Sequence, residues 1–159
     1  MNKKGFTLIE LIIVIAIIAL LAAATFVAVD PAKRIGKAND AQRWADITAI
    51  ADAYYKYAVD NNGVYVSSTI TSGTTYWIAT QDDPTTSQAS CPGTSTVISN
   101  YVNLNSLITG GYIGQIPDDP LGADNHGTDY YFYNDAAGVV IIGACNKYSG
   151  TTNYPSAVR

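Results

Sequence analysis

Between Tyr57 and Asn146 this chain carries no lysine or arginine, while eight aspartates fall in the same stretch. A nucleic-acid binder needs a basic face to meet phosphate, so no nucleic-acid partner is expected. Histidine occurs once, at His126, and glutamate once, at Glu10. There is no Gly-x-Ser-x-Gly, no phosphate-binding loop, no His-Glu-x-x-His and no Cys-x-x-Cys. Nucleophilic, nucleotide-dependent and zinc-dependent chemistry therefore lack their usual residues, and nothing selects a pair of aspartates for acid–base work. No enzyme is expected. Charged residues make up 14% of the 159 positions, against about 25% in ordinary soluble domains. Apolar residues reach 48%, which argues against disorder.

Those apolar residues are not spread evenly. Leu11 to Val29 holds no charge and one polar residue, Thr25. As a helix rising about 1.5 Å per residue it spans roughly 28 Å, close to the ~30 Å hydrocarbon core of a bilayer. Being apolar all round, it reads as a membrane-spanning helix rather than a core helix with a polar stripe. Lys3 and Lys4 predict that the short N-terminal end stays cytoplasmic. A secretory signal cleaved after its apolar run fits poorly. The run is long, and no small-x-small site lies directly before Asp30-Pro31, Ala22-Ala23-Ala24 coming earlier. Glu10 is the exception within this segment. Near the interface its carboxylate either snorkels to the headgroups or awaits a positive partner from another chain.

Lys4-Gly5-Phe6-Thr7-Leu8-Ile9-Glu10-Leu11 followed by an apolar run resembles the class III signal sequence of type IV pilins and pseudopilins. The resemblance implies that a dedicated prepilin peptidase cuts after Gly5, on the cytoplasmic side, so that the helix is retained. It implies N-methylation of the new terminal residue, Phe6. It also implies that Glu10 faces the N-terminal amine of a neighbouring subunit in a filament. The physics agrees: an unpaired carboxylate in an apolar bundle is costly and a paired one is tolerated, so correct axial stagger is selected. The resemblance divides the chain into a leader at 1–5, a filament-core half-helix at 6–29, an amphipathic half-helix at 30–62 and a globular β head at 63–159.

Two readings stay open at Asp30-Pro31. One is a kink or melted segment, to which Gly36 would contribute; the other has Asp30 capping a new helix with Pro31 in its first position. From Ala32 to about Asn61, Trp44, Ile47, Ile50 or Ala51, Tyr54 and Ala58 recur at helical spacing and predict a sheet-facing stripe. Lys37, Asp40, Arg43, Asp46, Asp52 and Lys56 form the opposite, charged face, with Asp30–Arg34 and Asp52–Lys56 as four-apart pairs. Asn61-Asn62-Gly63 is a helix stop.

Beyond it, strand-like runs cover Thr75 to Thr80, Ser95 to Val102, Tyr130 to Tyr133 and Val139 to Ala144, the last two forming a hairpin. Asn105 to Thr109 reads as a short helix or turn. The Ser/Thr-rich stretch 67–100 reads as a variable surface segment. The expected fold is α+β: a long N-terminal helix, membrane-spanning in its first half, packed on a small antiparallel sheet as in type IV pilins. Cys91 and Cys145 lie on the part that would be exported and read as one disulfide. A metal or catalytic thiol is the alternative, and it lacks partners. The pair is similar to the bridge that closes the C-terminal region of many pilins.

Gly111-Tyr112-Ile113-Gly114-Gln115-Ile116-Pro117-Asp118-Asp119-Pro120-Leu121-Gly122 is similar to a segment of major pseudopilins of type II secretion. Leu121 stands where those proteins usually carry an aromatic, and Val66 replaces a proline found after their helix. Pseudopilins bind calcium in the loop that follows. Here Asp118, Asp119, Asp124 and Asp129, with Asn125, offer hard oxygen ligands, so calcium is the one cofactor candidate; solvated carboxylates are the alternative. The function expected is that of a major pilin, a structural subunit polymerising into an extracellular type IV pilus. The alternatives are a pseudopilin, or a minor pilin acting in adhesion or DNA uptake. The partners implied are further copies of the chain, the prepilin peptidase, and an inner-membrane assembly platform with its ATPase. The chain would sit in the cytoplasmic membrane as a single-pass precursor before entering the filament.

Overall fold

A computed structural model describes residues 5–63, 66, 70–79, 89–94, 96–98, 100–122 and 127–159. The chain forms two compact units, residues 1–35 and 36–159.

In the first unit, helix α1 (Leu8–Val29) is built almost wholly from Leu, Ile, Val and Ala. It ends at Asp30, whose backbone turns left-handed (φ 44°, ψ 74°). The same residue opens helix α2 (Pro31–Asp60): its Oδ1 accepts the Lys33 N–H at 3.3 Å, and Pro31 takes the first helical position, where a missing N–H breaks nothing. Of the two readings of Asp30-Pro31, the structure adopts the cap. The break is a single residue wide. The Arg34 N–H donates to Asp30 O at 3.2 Å, but the Arg34 side chain does not take up the ion pair with Asp30 expected from spacing. Its Nε donates instead to the Val29 carbonyl at 2.9 Å, one of the acceptors that a helix end leaves open.

The second unit has three layers. The five-stranded sheet runs β4 (Asn100–Asn103), β1 (Thr75–Ala79), β5 (Tyr130–Asn134), β6 (Val140–Ala144), β7 (Ser156–Val158). Period-two alternation sorts its side chains. Tyr76, Ile78, Tyr130, Phe132, Ile142 and Ala144 meet Ile47, Ile50, Ala51, Ala53 and Tyr54 of α2 in the main core. Burying each of the large aliphatic or aromatic side chains contributes about 1.5–3 kcal/mol. On the other face, Trp77 and Tyr131 pack with Cys91, Ile98 and Cys145. That face is covered by the two-stranded hairpin β2 (Ala89–Cys91) and β3 (Thr96–Ile98). The Trp77 indole donates to the Ile98 carbonyl at 3.2 Å. Helix α3 (Asn105–Thr109) follows β4 and buries Leu107.

The α+β expectation holds, as do the β5–β6 hairpin and the helix stop: Gly63 N–H donates to Ala58 O at 2.7 Å, with Asn62 left-handed at φ 55°. Three points differ. The run Ser95 to Val102 splits into β3 and β4, which lie in different sheets. The β1–β4 pair is parallel, because the chain between them makes an excursion through the hairpin. On α2 the sheet-facing stripe passes through Arg43 rather than Trp44: Arg43 is 1% exposed and Trp44 47%. Gly36 has a packing role. A Cβ there would lie 2.2 Å from the ring of Tyr148, so the missing side chain is what lets the loop after β6 rest on the helix.

Candidate functional site

Thr7 enters α1 in an extended conformation. Thr7 (φ −83°, ψ 152°) is the N-cap. Its hydroxyl accepts the Glu10 N–H at 3.3 Å, while Glu10 Oε2 accepts the Thr7 N–H at 2.8 Å and the Thr7 hydroxyl at 2.7 Å. This is a complete capping box, with a threonine and a glutamate three apart each satisfying the other's backbone donor. The Glu10 side chain is thus held against its own helix start, one turn from Phe6. Gly5 has open space around it, and Phe6 is 91% exposed. No residue of α1 is buried. The Thr25 hydroxyl donates to Ala22 O at 2.9 Å, so even the lone polar side chain of the apolar run is satisfied within the helix.

Residues 1–26 match the prokaryotic N-terminal methylation motif, the class III signal peptide of type IV pilins and pseudopilins. The chain thus carries, at its N-terminus, the motif found in type IV pilins and pseudopilins. No curated protein and no solved structure matches it. The motif ends before the head begins, so what the head contributes comes from its own geometry.

In the head, the polar centre is a guanidinium. Arg43 donates Nε to Asp119 Oδ2 at 2.6 Å and Nη2 to Asp119 Oδ1 at 2.9 Å, a two-pronged pair that matches fork to carboxylate. Its Nη1 reaches Asp40 Oδ1 at 2.7 Å. Asp40 in turn accepts the Tyr148 N–H at 2.9 Å and the Thr151 hydroxyl at 3.1 Å. One arginine therefore joins α2 directly to the loop at 119 and, through Asp40, to the loop at 148–151. The hydrogen bond to Asp119 holds the Arg43 pKa above its ordinary value. Sequence reading placed Arg43 and Asp40 on the charged face opposite the sheet. Both are buried, because Asp119, with a side chain 0% exposed, arrives from 76 positions away.

Of the calcium candidates, Asp118, Asp119 and Asp129 are among the described residues. Asp119 also accepts the Leu121 N–H at 2.9 Å, so its carboxylate is occupied by Arg43 and the turn rather than held free for a cation. Asp129 is buried, left-handed at φ 62°, and accepts from Asn146 Nδ2 at 3.3 Å. Asp118 is exposed. Asp124, Asn125 and His126 lie outside the described residues. Among the described residues no three His, Cys, Asp or Glu side chains form a metal cluster. The two cysteines are joined, Cys91 to Cys145, with Cα atoms 4.9 Å apart and a separation of 54 in sequence. Closing so long a loop contributes about 4 kcal/mol in the chain-entropy account.

Beside the arginine, Asp46 Oδ2 accepts the Tyr130 hydroxyl at 2.8 Å. Burial pushes the Asp46 pKa up, opposed by that hydrogen bond and helped by the nearby charge of Asp119. Burial, then Asp46, pushes the Tyr130 phenol well up. A carboxyl whose folded pKa is raised binds its proton more tightly folded than unfolded. Its ionisation therefore lowers stability as pH rises from the ordinary carboxylate value through the raised one, and the penalty is complete above that. Asp46→Asn keeps an acceptor for Tyr130 and removes the penalty. Thermal melts are expected to show this variant no less stable than the parent at neutral pH, with the parent gaining on it in acid. Asp46→Ala, which strands the buried Tyr130 hydroxyl, is expected to cost about 1–3 kcal/mol.

Proposed function

We propose that this chain is a major pilin, a subunit that polymerises into an extracellular type IV pilus by packing its N-terminal helix against those of other copies. The observation that carries the reading is the bare state of α1: 22 residues, none buried, with Leu8, Ile9, Leu11, Ile17, Leu21 and Val27 among those more than half exposed. Surface of that kind is covered by lipid before assembly and by like helices after it. The motif at residues 1–26 supports peptidase cleavage at Gly5–Phe6 and methylation of Phe6. A head closed by a buried disulfide suits an oxidising exterior.

A second reading, the pseudopilin, draws on Ile116-Pro117-Asp118-Asp119-Pro120, whose Asp119 is anchored on Arg43. Shearing filaments from the cell surface separates the two. The expected result is filaments visible by electron microscopy, whose main band is this chain beginning at N-methylated Phe6. Recovery of the chain from the cell envelope alone would overturn the major-pilin reading in favour of the pseudopilin.

A further inference from the structure

The chain contains one Asn-Gly pair, Asn62-Gly63, and it forms the cap of α2. Both residues are exposed. Asn-Gly is the dipeptide in which the following backbone nitrogen reaches the asparagine side chain with least obstruction, because glycine places no Cβ beside it. That nitrogen must lose its proton before it attacks. In the folded chain the Gly63 N–H is donated to Ala58 O at 2.7 Å, while Asn62 sits left-handed at φ 55° and Gly63 at φ 80°. Asn61, immediately before, is fixed twice over on Tyr57 O, by its N–H at 3.0 Å and its Nδ2 at 2.8 Å.

We propose that Asn62 is a spontaneous deamidation site held closed by the helix cap, and that opening of the last turn of α2 starts a one-way change. On opening, Gly63 N bonds to Asn62 Cγ, the Cγ–Nδ2 bond breaks, and the amide nitrogen leaves as ammonia with the proton that Gly63 gave up. Water then adds to one of the two carbonyls of the resulting succinimide ring, giving aspartate or isoaspartate. Both products weaken the cap. Aspartate places a second carboxylate two residues from Asp60, at the helix end where the dipole is already negative. Isoaspartate adds a methylene to the main chain and moves Gly63 N–H out of register with Ala58 O. The inference is independent of what the chain assembles into.

The test uses the full chain in detergent micelles, disulfide intact, beside the same chain reduced and unfolded in guanidinium, both at mildly alkaline pH and body temperature. Chymotryptic peptides spanning residue 62 are followed by mass spectrometry, with isoaspartate told apart by fragmentation. The unfolded chain is expected to lose the Asn62 amide at least about tenfold faster than the folded one, the ratio set by the free energy of local opening. A smaller ratio, or an Asn62 that keeps its amide in the unfolded chain, overturns the proposal.

Discussion

Replacing Arg43 by alanine is expected to destabilise the head by about 3–5 kcal/mol, because it leaves Asp119 charged and buried without its partner. For a unit of this size the melting temperature should fall by roughly 10 °C or more. The cost is a matter of stranding rather than of lost attraction. A double variant, Arg43→Met with Asp119→Leu, removes both charges and fills the space with apolar atoms, so it should recover most of the loss. Arg43→Lys keeps the charge but not the fork that spans Asp119 Oδ1 and Oδ2, and should fall between. Urea unfolding followed by near-ultraviolet circular dichroism measures all three. An Arg43→Ala chain within about 1 kcal/mol of the parent would mean that the pair behaves as a solvent-screened surface contact.

The second large effect concerns assembly. Glu10→Ala should reduce filament yield by more than tenfold while leaving insertion into the membrane intact, since removing a charge eases insertion. Alanine also destroys the capping box with Thr7, so helix fraying alone could lower the yield. Glu10→Gln separates the two causes. Glutamine reaches back to the Thr7 N–H as glutamate does, but carries no charge to pair with a neighbour's terminal amine. Loss of filaments in both variants is the expected result, counted on sheared material and normalised to membrane-inserted subunit. Normal filaments from the glutamine variant would leave Glu10 with a capping role only.

The motif at residues 1–26 and the apolar helix were legible because their signals are local. A basic leader, Gly5-Phe6, Glu10 and an uninterrupted apolar run lie within one stretch, and caps such as Asp30-Pro31 and Asn61-Asn62-Gly63 are written in adjacent residues. Strand β1 and the β5–β6 hairpin were legible because aromatic and β-branched runs flank a clear turn. Strand β7 was not: Ser156-Ala157-Val158 shows no alternation of its own and exists as a strand only through its pairing with β6. Arg43 and Asp40 were misplaced for a related reason. On a helical wheel they look like surface, and the residues that bury them, Asp119, Tyr148 and Thr151, come from loops far along the chain. Asp52 shows the same non-locality on a smaller scale. Spacing pointed it to Lys56, and the structure gives it the C-terminal Arg159 at 3.2 Å.

The Cys91–Cys145 bridge has a mechanical meaning. Tension applied between the two ends of the head crosses from one sulfur to the other and bypasses everything strung between them, which includes β3, β4, α3, β5 and β6. That separation of 54 represents roughly 180 Å of extensible chain at ~3.4 Å per residue that a pull on the ends cannot draw out. About half of the main core sits inside that closed ring, and among the described elements α2, β1, β2 and β7 stand in the path of the force.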